Sequence, residues 1–392
     1  MLLAASMRPY SDGESSRRSE KTKHESGKRP SAALRTPLDG RGRGKWVEGG
    51  EQMSKGAGMG RVGFATGYDP NAGVRQMAGW MADAEAAGYE IGFFSETIEL
   101  MRDSVTALTT FGTSTQRMTL GCTQITRLRS PLVMAQTIAS LDELMGGRLM
   151  VAPGACTSTH ALRHGLPPAN PGQALIEYVE SMRLILTGET VSYHGQVVNF
   201  DDVCLGWSPV RTYVPMYIPA TSRTGLKIAG RIGDGVLLNA ICSPEYSANA
   251  LKIVRAAAEE AGRDWSDFKI AQLINCSIED EHRKALDAIR WEVASKLDPI
   301  QLPFIIKPKK AVGEPYMREE DIPVFEEAWR QGGKEALVKA VPDSYIEGMT
   351  ASGTPDEVQQ RVQQFRDVGV QLPILRPAAP HQVGKLIELF AS

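Results

Sequence analysis

From residue 61 onward, short apolar runs alternate with longer stretches in which apolar residues return every three or four positions. The short runs predict strands and the longer stretches predict amphipathic helices. On that pattern strands are expected at 61–67, 91–95, 118–124, 149–153, 215–220, 236–241, 269–277 and 372–375. Helices are expected between them, at 73–87, 104–113, 131–144, 174–186, 225–232, 244–261, 282–297 and 354–368, with a last one at 383–390. Glycines at 146 and 147 close the 131–144 helix, and Thr354-Pro355-Asp356-Glu357 opens another with capping-box chemistry. A hairpin is expected around His194-Gly195. Strand–helix alternation with buried strands implies a parallel sheet. Eight such units imply an α/β fold closed as a single (β/α)8 TIM barrel, with an open doubly wound sheet as the rival.

Two stretches depart from that rhythm. Residues 1–58 are rich in Arg, Lys, Ser, Gly and Glu with almost no periodic apolar positions. Such a segment buries too little apolar surface to offset chain entropy, so a disordered basic extension is expected there, followed by the barrel at 59–392. Abundant Arg and Ser would suit a transit peptide, but Asp12, Glu14, Glu20 and Glu25 oppose it. The alternative is a plain extension or an upstream start, with Met53 and Met59 as the starts it would displace. The second stretch, 299–353, is proline-containing and irregular, and is expected to fold over the barrel mouth and shape substrate choice. A peripheral helical decoration is the other reading.

Composition narrows the class. Hydrophobic residues make up 42% and charged residues 23% of the 392, ordinary for a globular enzyme-sized core. A net charge of −2 gives no footprint for nucleic acid, and no apolar run approaches the ~20 residues that span a bilayer. Cys122, Cys156, Cys204, Cys242 and Cys276 are widely spaced without a C-x-x-C pair, which fits reduced thiols in a cytoplasmic protein.

In a parallel barrel the functional groups gather at the C-terminal ends of the strands. That rule nominates 65–68, 95–98, 123–129, 154–160, 220–223, 239–242, 275–277 and Arg376. Glu96 stands there as a buried-carboxylate candidate for relaying a proton or placing substrate; the competing reading is an ion pair with Arg102, Arg127 or Arg129. Thr221-Ser222-Arg223 ends a strand and opens a helix, so hydroxyls, N–H groups and a guanidinium converge on one point. Thr221 or Ser222 is equally well explained as an ordinary N-cap. His160 and His164, four apart, offer a proton donor, a solvent-facing loop pair or a metal pair lacking a third ligand.

Two longer segments carry a resemblance. Arg127-Leu128-Arg129-Ser130-Pro131, Leu141-Asp142-Glu143-Leu144-Met145-Gly146-Gly147-Arg148 and Gly154 form the first. Pro215, Tyr217, Ile218, Ala220, Ala229, Gly230, Gly233, Asp234 and Gly235 form the second. Together they resemble the luciferase-like family of flavin- and deazaflavin-dependent oxidoreductases, from about Val62 to Arg376. Glu96 with Arg102-Asp103-Ser104-Val105 looks most like the methylenetetrahydromethanopterin reductase branch.

The resemblance implies hydride transfer between a deazaflavin coenzyme (F-420 type) and a small organic substrate. The rival is an FMN-dependent monooxygenase supplied by a partner flavin reductase. A catalytically silent flavin-binding or scaffold barrel is the reading from another class. It further implies a homodimer, a cofactor seat at Thr123, Gln124, Gly154, Ala220, Thr221, Ser222 and Arg223, and catalytic roles for Glu96 and His160. A non-prolyl cis peptide is expected at Thr123–Gln124. Several relatives carry an acid two or three positions after the glycine matching Gly154, where this chain has Cys156 and Thr157.

Overall fold

The computed structural model describes residues 61–66, 71–98, 100–299 and 301–392. The expected extension at 1–58 lies outside the described residues. The chain opens with β1 (Gly63–Ala65), α1 (Val74–Ala86), β2 (Ile91–Phe94), α2 (Ser104–Ser114), β3 (Thr119–Ile125), α3 (Pro131–Leu144) and β4 (Leu149–Gly154). After β4 come a short helix α4 (Ser158–Arg163) and a long one, α5 (Pro171–Leu186). A hairpin follows, β5 (Val191–His194) and β6 (Asn199–Val203), paired antiparallel around the predicted turn. The barrel resumes with β7 (Tyr217–Ala220), α6 (Arg223–Ile232), β8 (Gly235–Leu238), α7 (Pro244–Glu260) and β9 (Lys269–Ile278). The last part holds α8 (His282–Ala294), α9 (Leu302–Lys310), α10 (Ile322–Ala340), α11 (Asp343–Met349), β10 (Ala351–Gly353), α12 (Pro355–Asp367), β11 (Leu372–Pro377) and α13 (Val383–Leu389).

The helices start where short polar side chains can accept the first free N–H groups. Asp103, Ser130, Asn170, Ser222 and Ser243 each do so, and Thr354 and Glu357 form the predicted capping box. Behind α3, Gly146 and Gly147 take φ of 61° and 83°, the left-handed turn that a residue with a Cβ resists.

The strands run β4-β3-β2-β1-β11-β9-β8-β7, each parallel to its neighbours. A parallel bridge between Val151 and Met216 joins the two outermost, with Val151 N donating to Pro215 O at 3.0 Å. The sheet therefore closes into the (β/α)8 barrel expected from the sequence. The eight predicted runs are its eight staves, while β10 pairs only with the far end of β9.

Alternation along the strands sorts the core into two layers. Phe64, Phe94, Leu120, Cys122, Val151, Ile218, Val236 and Leu375 face outward and pack with the helices in one apolar cluster. Ala65, Phe93, Met150, Ala152, Tyr217, Leu237, Leu273 and Ile374 face inward and belong to a second. Phe93 and Met150 plug the interior over Gly121, where an added Cβ would come within 2.8 Å of both. Removing a plug of that size (Phe93→Ala) costs about 3–5 kcal/mol.

The inner cluster does not stop at the barrel. It continues into α8–α11 through Leu286, Ile289, Leu302, Ile306, Phe325 and Tyr345. By contrast α12 packs in the outer layer through Val358, Val362 and Phe365. So α12 fills the outer position between β9 and β11, and α8–α11 form a cap that extends the interior core. Gly332 and Gly333 break α10 with non-helical backbone, Gly333 at φ 57°.

Candidate active site

Glu96 follows β2 by two residues, at the C-terminal rim, with its side chain only 2% exposed. Its parity is that of Phe94, so the carboxylate lies behind the strand ends, toward α2, and not inside the barrel. Burying a carboxylate requires partners, and it has several. Arg129 reaches Oε1 at 2.8 Å, Ser104 Oγ donates to the same oxygen at 2.9 Å, and Ile125 N donates to Oε2 at 2.8 Å. The Glu96 N–H in turn donates to Thr123 Oγ1 at 2.6 Å. Of the three arginines considered from sequence, Arg129 is the partner seen, and it also holds Asp103 at 3.0 Å. Burial pulls the Arg129 guanidinium down, but the two carboxylates more than offset it and leave it above its ordinary value. Burial likewise raises Asp103, and the Thr106 N–H, its hydroxyl and Arg129 bring it below the usual carboxylate range.

Thr123 and Gln124 sit on the last turns of β3, pairing with Ala152 and Pro153 of β4, and Ile125 pairs with Gly154. The Thr126 N–H and hydroxyl both donate to Gly154 O, at 2.9 and 3.0 Å. The expected cis peptide at Thr123–Gln124 is corrected here: among the described residues every peptide bond is trans. The reason is local. The regular parallel ladder to β4 continues through Gln124 to Ile125, whose N–H is satisfied by Glu96, so extended backbone meets all its partners. The irregularity falls three residues later, where Arg127 takes φ 71°.

Gly154 and Ala220 end adjacent staves, β4 and β7. A Cβ built on Gly154 would meet only Gln124 O, at 3.9 Å, so space lies open beside it. Thr221 is half-buried and its carbonyl accepts from Tyr246 at 2.6 Å. Ser222 is the N-cap of α6, accepting from Gly225 N at 3.2 Å, and Arg223 is exposed at the first turn. Both sequence readings of Ser222 thus meet at one place: it caps the helix, and the same helix start presents the N–H groups an anion would use. The structure brings Glu96, Thr123, Gln124 and Gly154 onto one continuous arc of the rim and sets Ala220–Arg223 next to it.

His160 lies on α4, exposed, with Nδ1 3.0 Å from Thr157 Oγ1 and its ring stacked on His164 at 6.5 Å. Neither partner belongs to the Glu96 network. Among the described residues no group of three or more His, Cys, Asp or Glu stands together as a metal set. Cys156, in the loop after Gly154, is buried, and burial pushes its thiol up.

Some rim features were not legible in the sequence. Glu292 of α8 pairs with Arg376 at the end of β11, and Arg376 donates to Asn275 Oδ1 at 2.7 Å, all three buried. Strand-end position pointed to Asn275 and Arg376; nothing marked Glu292. Lys309 and Glu314 of the cap are also buried and reach the turn after β8.

A residue-pattern model described as luciferase-like monooxygenase matches residues 59–372. The chain belongs to the luciferase-like monooxygenase family. It is an oxidoreductase of that family, with the family's barrel. Among its relatives is a 5,10-methylenetetrahydromethanopterin reductase of Methanolobus tindarius, 28% identical over 81% of this chain and 95% of the relative. An F420-dependent glucose-6-phosphate dehydrogenase of Nakamurella multipartita is 27% identical over 72% of this chain and 85% of the relative. The solved coenzyme F420 dependent tetrahydromethanopterin reductase of Methanopyrus kandleri superposes with a TM-score of 0.74 at 25% identity, over 85% of this chain and 98% of that one. Among the described residues no helix is long and apolar enough to cross a membrane.

Proposed function

We propose that this chain transfers a hydride between a deazaflavin coenzyme of the F420 type and a small organic substrate. One observation carries the reading. The reductase of known structure and the sugar-phosphate dehydrogenase share F420 in their names and share no substrate, yet this chain resembles both to nearly the same degree. What these two proteins have in common by name is the coenzyme, and the substrate is the part that varies.

The residues present fit such a coenzyme. Gln124 is 1% exposed with neither end of its carboxamide bonded, and Thr66 Oγ1 is likewise buried without a partner at the end of β1. Both share the parity of Phe64 and Cys122, which face the helices, so they back the rim, and Thr123 and Gly154 are the strand-end positions that face the mouth. Gly154 leaves open space there. The start of α6, with the Thr221 and Ser222 hydroxyls and the Arg223 guanidinium, would hold a phosphate. When bound, the deazaflavin supplies or accepts the hydride.

The protein's part is to hold the ring at the mouth, keep water out and manage a proton. Glu96, fixed by Arg129, Ser104 and Ile125 N, sets the height of the β2–β3 rim and keeps Thr123 in register. His160, on the short helix after β4, is the imidazole we assign to the substrate's proton transfer. The cap formed by α8–α11 closes the opposite side and shapes substrate choice. We also propose that the chain pairs as a homodimer, to be read as twice the chain mass in sedimentation.

The test is spectroscopic. Purified protein with oxidised F420 is offered alcohols, sugar phosphates and reduced pterins without oxygen. Bleaching of the coenzyme absorbance by one class supports the reading. Oxygen uptake with reduced FMN and a flavin reductase, with no bleaching of F420, would favour the monooxygenase instead. A protein inactive in both would favour the silent scaffold.

A further inference from the structure

The turn after β8 is held in a conformation its sequence disfavours. Ile241 has φ 58° and is 3% exposed. A β-branched side chain at positive φ is crowded by its own backbone, and Gly or Asn usually occupies such a position. An isoleucine kept there is explained if its side chain is needed where the turn puts it, and strain of this kind gathers at binding sites.

The cap holds the turn in place. Lys309, 2% exposed, donates from Nζ to Ile241 O at 2.5 Å and to Ala240 O at 3.4 Å. Glu314, also 2% exposed, accepts from Ser243 N at 2.8 Å through Oε2. Ile241 itself packs in the inner cluster that joins the barrel interior to the cap. On the far side of the turn, Tyr246 donates to Thr221 O at 2.6 Å, tying α7 to the segment in front of α6. One continuous set of contacts therefore runs from the cap, through the strained turn, to the phosphate-binding segment proposed above.

We propose that Lys309 and Glu314 are positioning residues that clamp the 240–243 turn, so that Ile241 forms an apolar wall of the mouth for the coenzyme ring. This rests on the coenzyme reading given under Proposed function. The clamp acts through Ile241: without it the turn relaxes out of the left-handed conformation and the wall is lost.

The test is a double-mutant cycle read by equilibrium binding of oxidised F420, or of FMN should the unaltered protein bind that instead. Lys309→Met and Ile241→Gly should each weaken binding about tenfold, and the double variant should bind no more weakly than the weaker single one, because coupled residues are not additive. Ile241→Val, which keeps the branched wall, should bind as the unaltered protein does. A merely structural role would give additive losses. Additive losses, or either single variant binding normally, overturn the proposal while leaving the coenzyme reading intact. An unaltered protein that binds neither coenzyme overturns both. Circular dichroism and a thermal melt check folding. If Lys309→Met does not fold, Ile241→Gly against Ile241→Val decides: weak against normal binding supports the wall, and equal binding overturns it.

Discussion

The two ends of the barrel are built on opposite principles. At the N-terminal end, one buried charge, Asp142, and three half-buried ones, Glu85, Arg148 and Asp234, are used up in holding chain to chain. Asp142 accepts from Leu149 N at 3.1 Å and from Arg211 Nε at 2.8 Å. Arg148 donates to the carbonyls of Met145, Met118, Thr115 and Gly112. Glu85 collects the N–H groups of Gln116, Arg117 and Met118, and Asp234 binds Arg183, Tyr213 and Met216 N. At the C-terminal end, Gln124 and Thr66 keep buried polar atoms without partners. Two of the three non-glycine residues at positive φ among the described residues, Arg127 and Ile241, are also there. Among the groups named at the N-terminal end only Arg183 Nε lacks a partner, whereas the C-terminal end combines unmet hydrogen bonds with backbone strain, as a barrel's binding face does.

Variants at the two ends should separate stability from chemistry. The largest effect is expected from Asp142→Ala, which strands Arg211 and Leu149 N. Arg211 is 31% exposed, so losing its buried partner and the acceptor for Leu149 N costs about 2–3 kcal/mol, read as a lower denaturant midpoint, with binding per folded molecule unchanged. Next is Glu96→Gln at the rim. It should cost about 1–3 kcal/mol in stability and, by loosening the rim that holds Thr123, cut turnover by up to about a hundredfold; unimpaired turnover would remove Glu96 from the placing of the rim.

Arg223→Ala should do the reverse of Asp142→Ala. Stability should hold within about 0.5 kcal/mol, while coenzyme affinity falls about tenfold and loses much of its salt dependence. Unchanged affinity would count against the phosphate site.

The smallest effect concerns pH. His282 lies between Glu357 and Glu347, at 3.0 and 3.3 Å, and those carboxylates raise its pKa. A raised value means a contribution fully present below the unfolded-state pKa of about 6.5, and lost as pH climbs through the folded value. The three groups are 44–50% exposed, so water screens the pair to a few tenths of a kcal/mol. His282→Ala should flatten that slight loss on the alkaline side in denaturation curves taken across pH.

The same contrast explains what could be read from the sequence. The positions of all eight staves followed from apolar runs, because a strand buried on both faces leaves a continuous mark. Of the motifs that carried the family resemblance, Asp142 to Arg148 and Gly233 to Gly235 sit at the N-terminal end, and Arg127 to Pro131, Gly154 and Ala220 lie at the rim. The first two are visible because interlocking chain to chain demands particular residues at particular spacings. The rest of the rim was legible only as positions. Glu96, Thr123 and Thr221–Arg223 were found by counting to strand ends, and the trans bond at Thr123–Gln124 shows how far resemblance outruns local geometry. Periodicity also identified the helix that became α8 without showing that it packs into the cap and not the outer layer. Ile241 was beyond reach, since an isoleucine carries no signal for a left-handed turn that residues 68 positions away impose.

The most direct test of the central claim is equilibrium binding of oxidised F420 and of FMN to the purified protein, each followed by fluorescence quenching. The account predicts tight, saturable binding of F420 and weak binding of FMN. Tight FMN binding with weak F420 binding would contradict it and point to an oxygen-using member of the family.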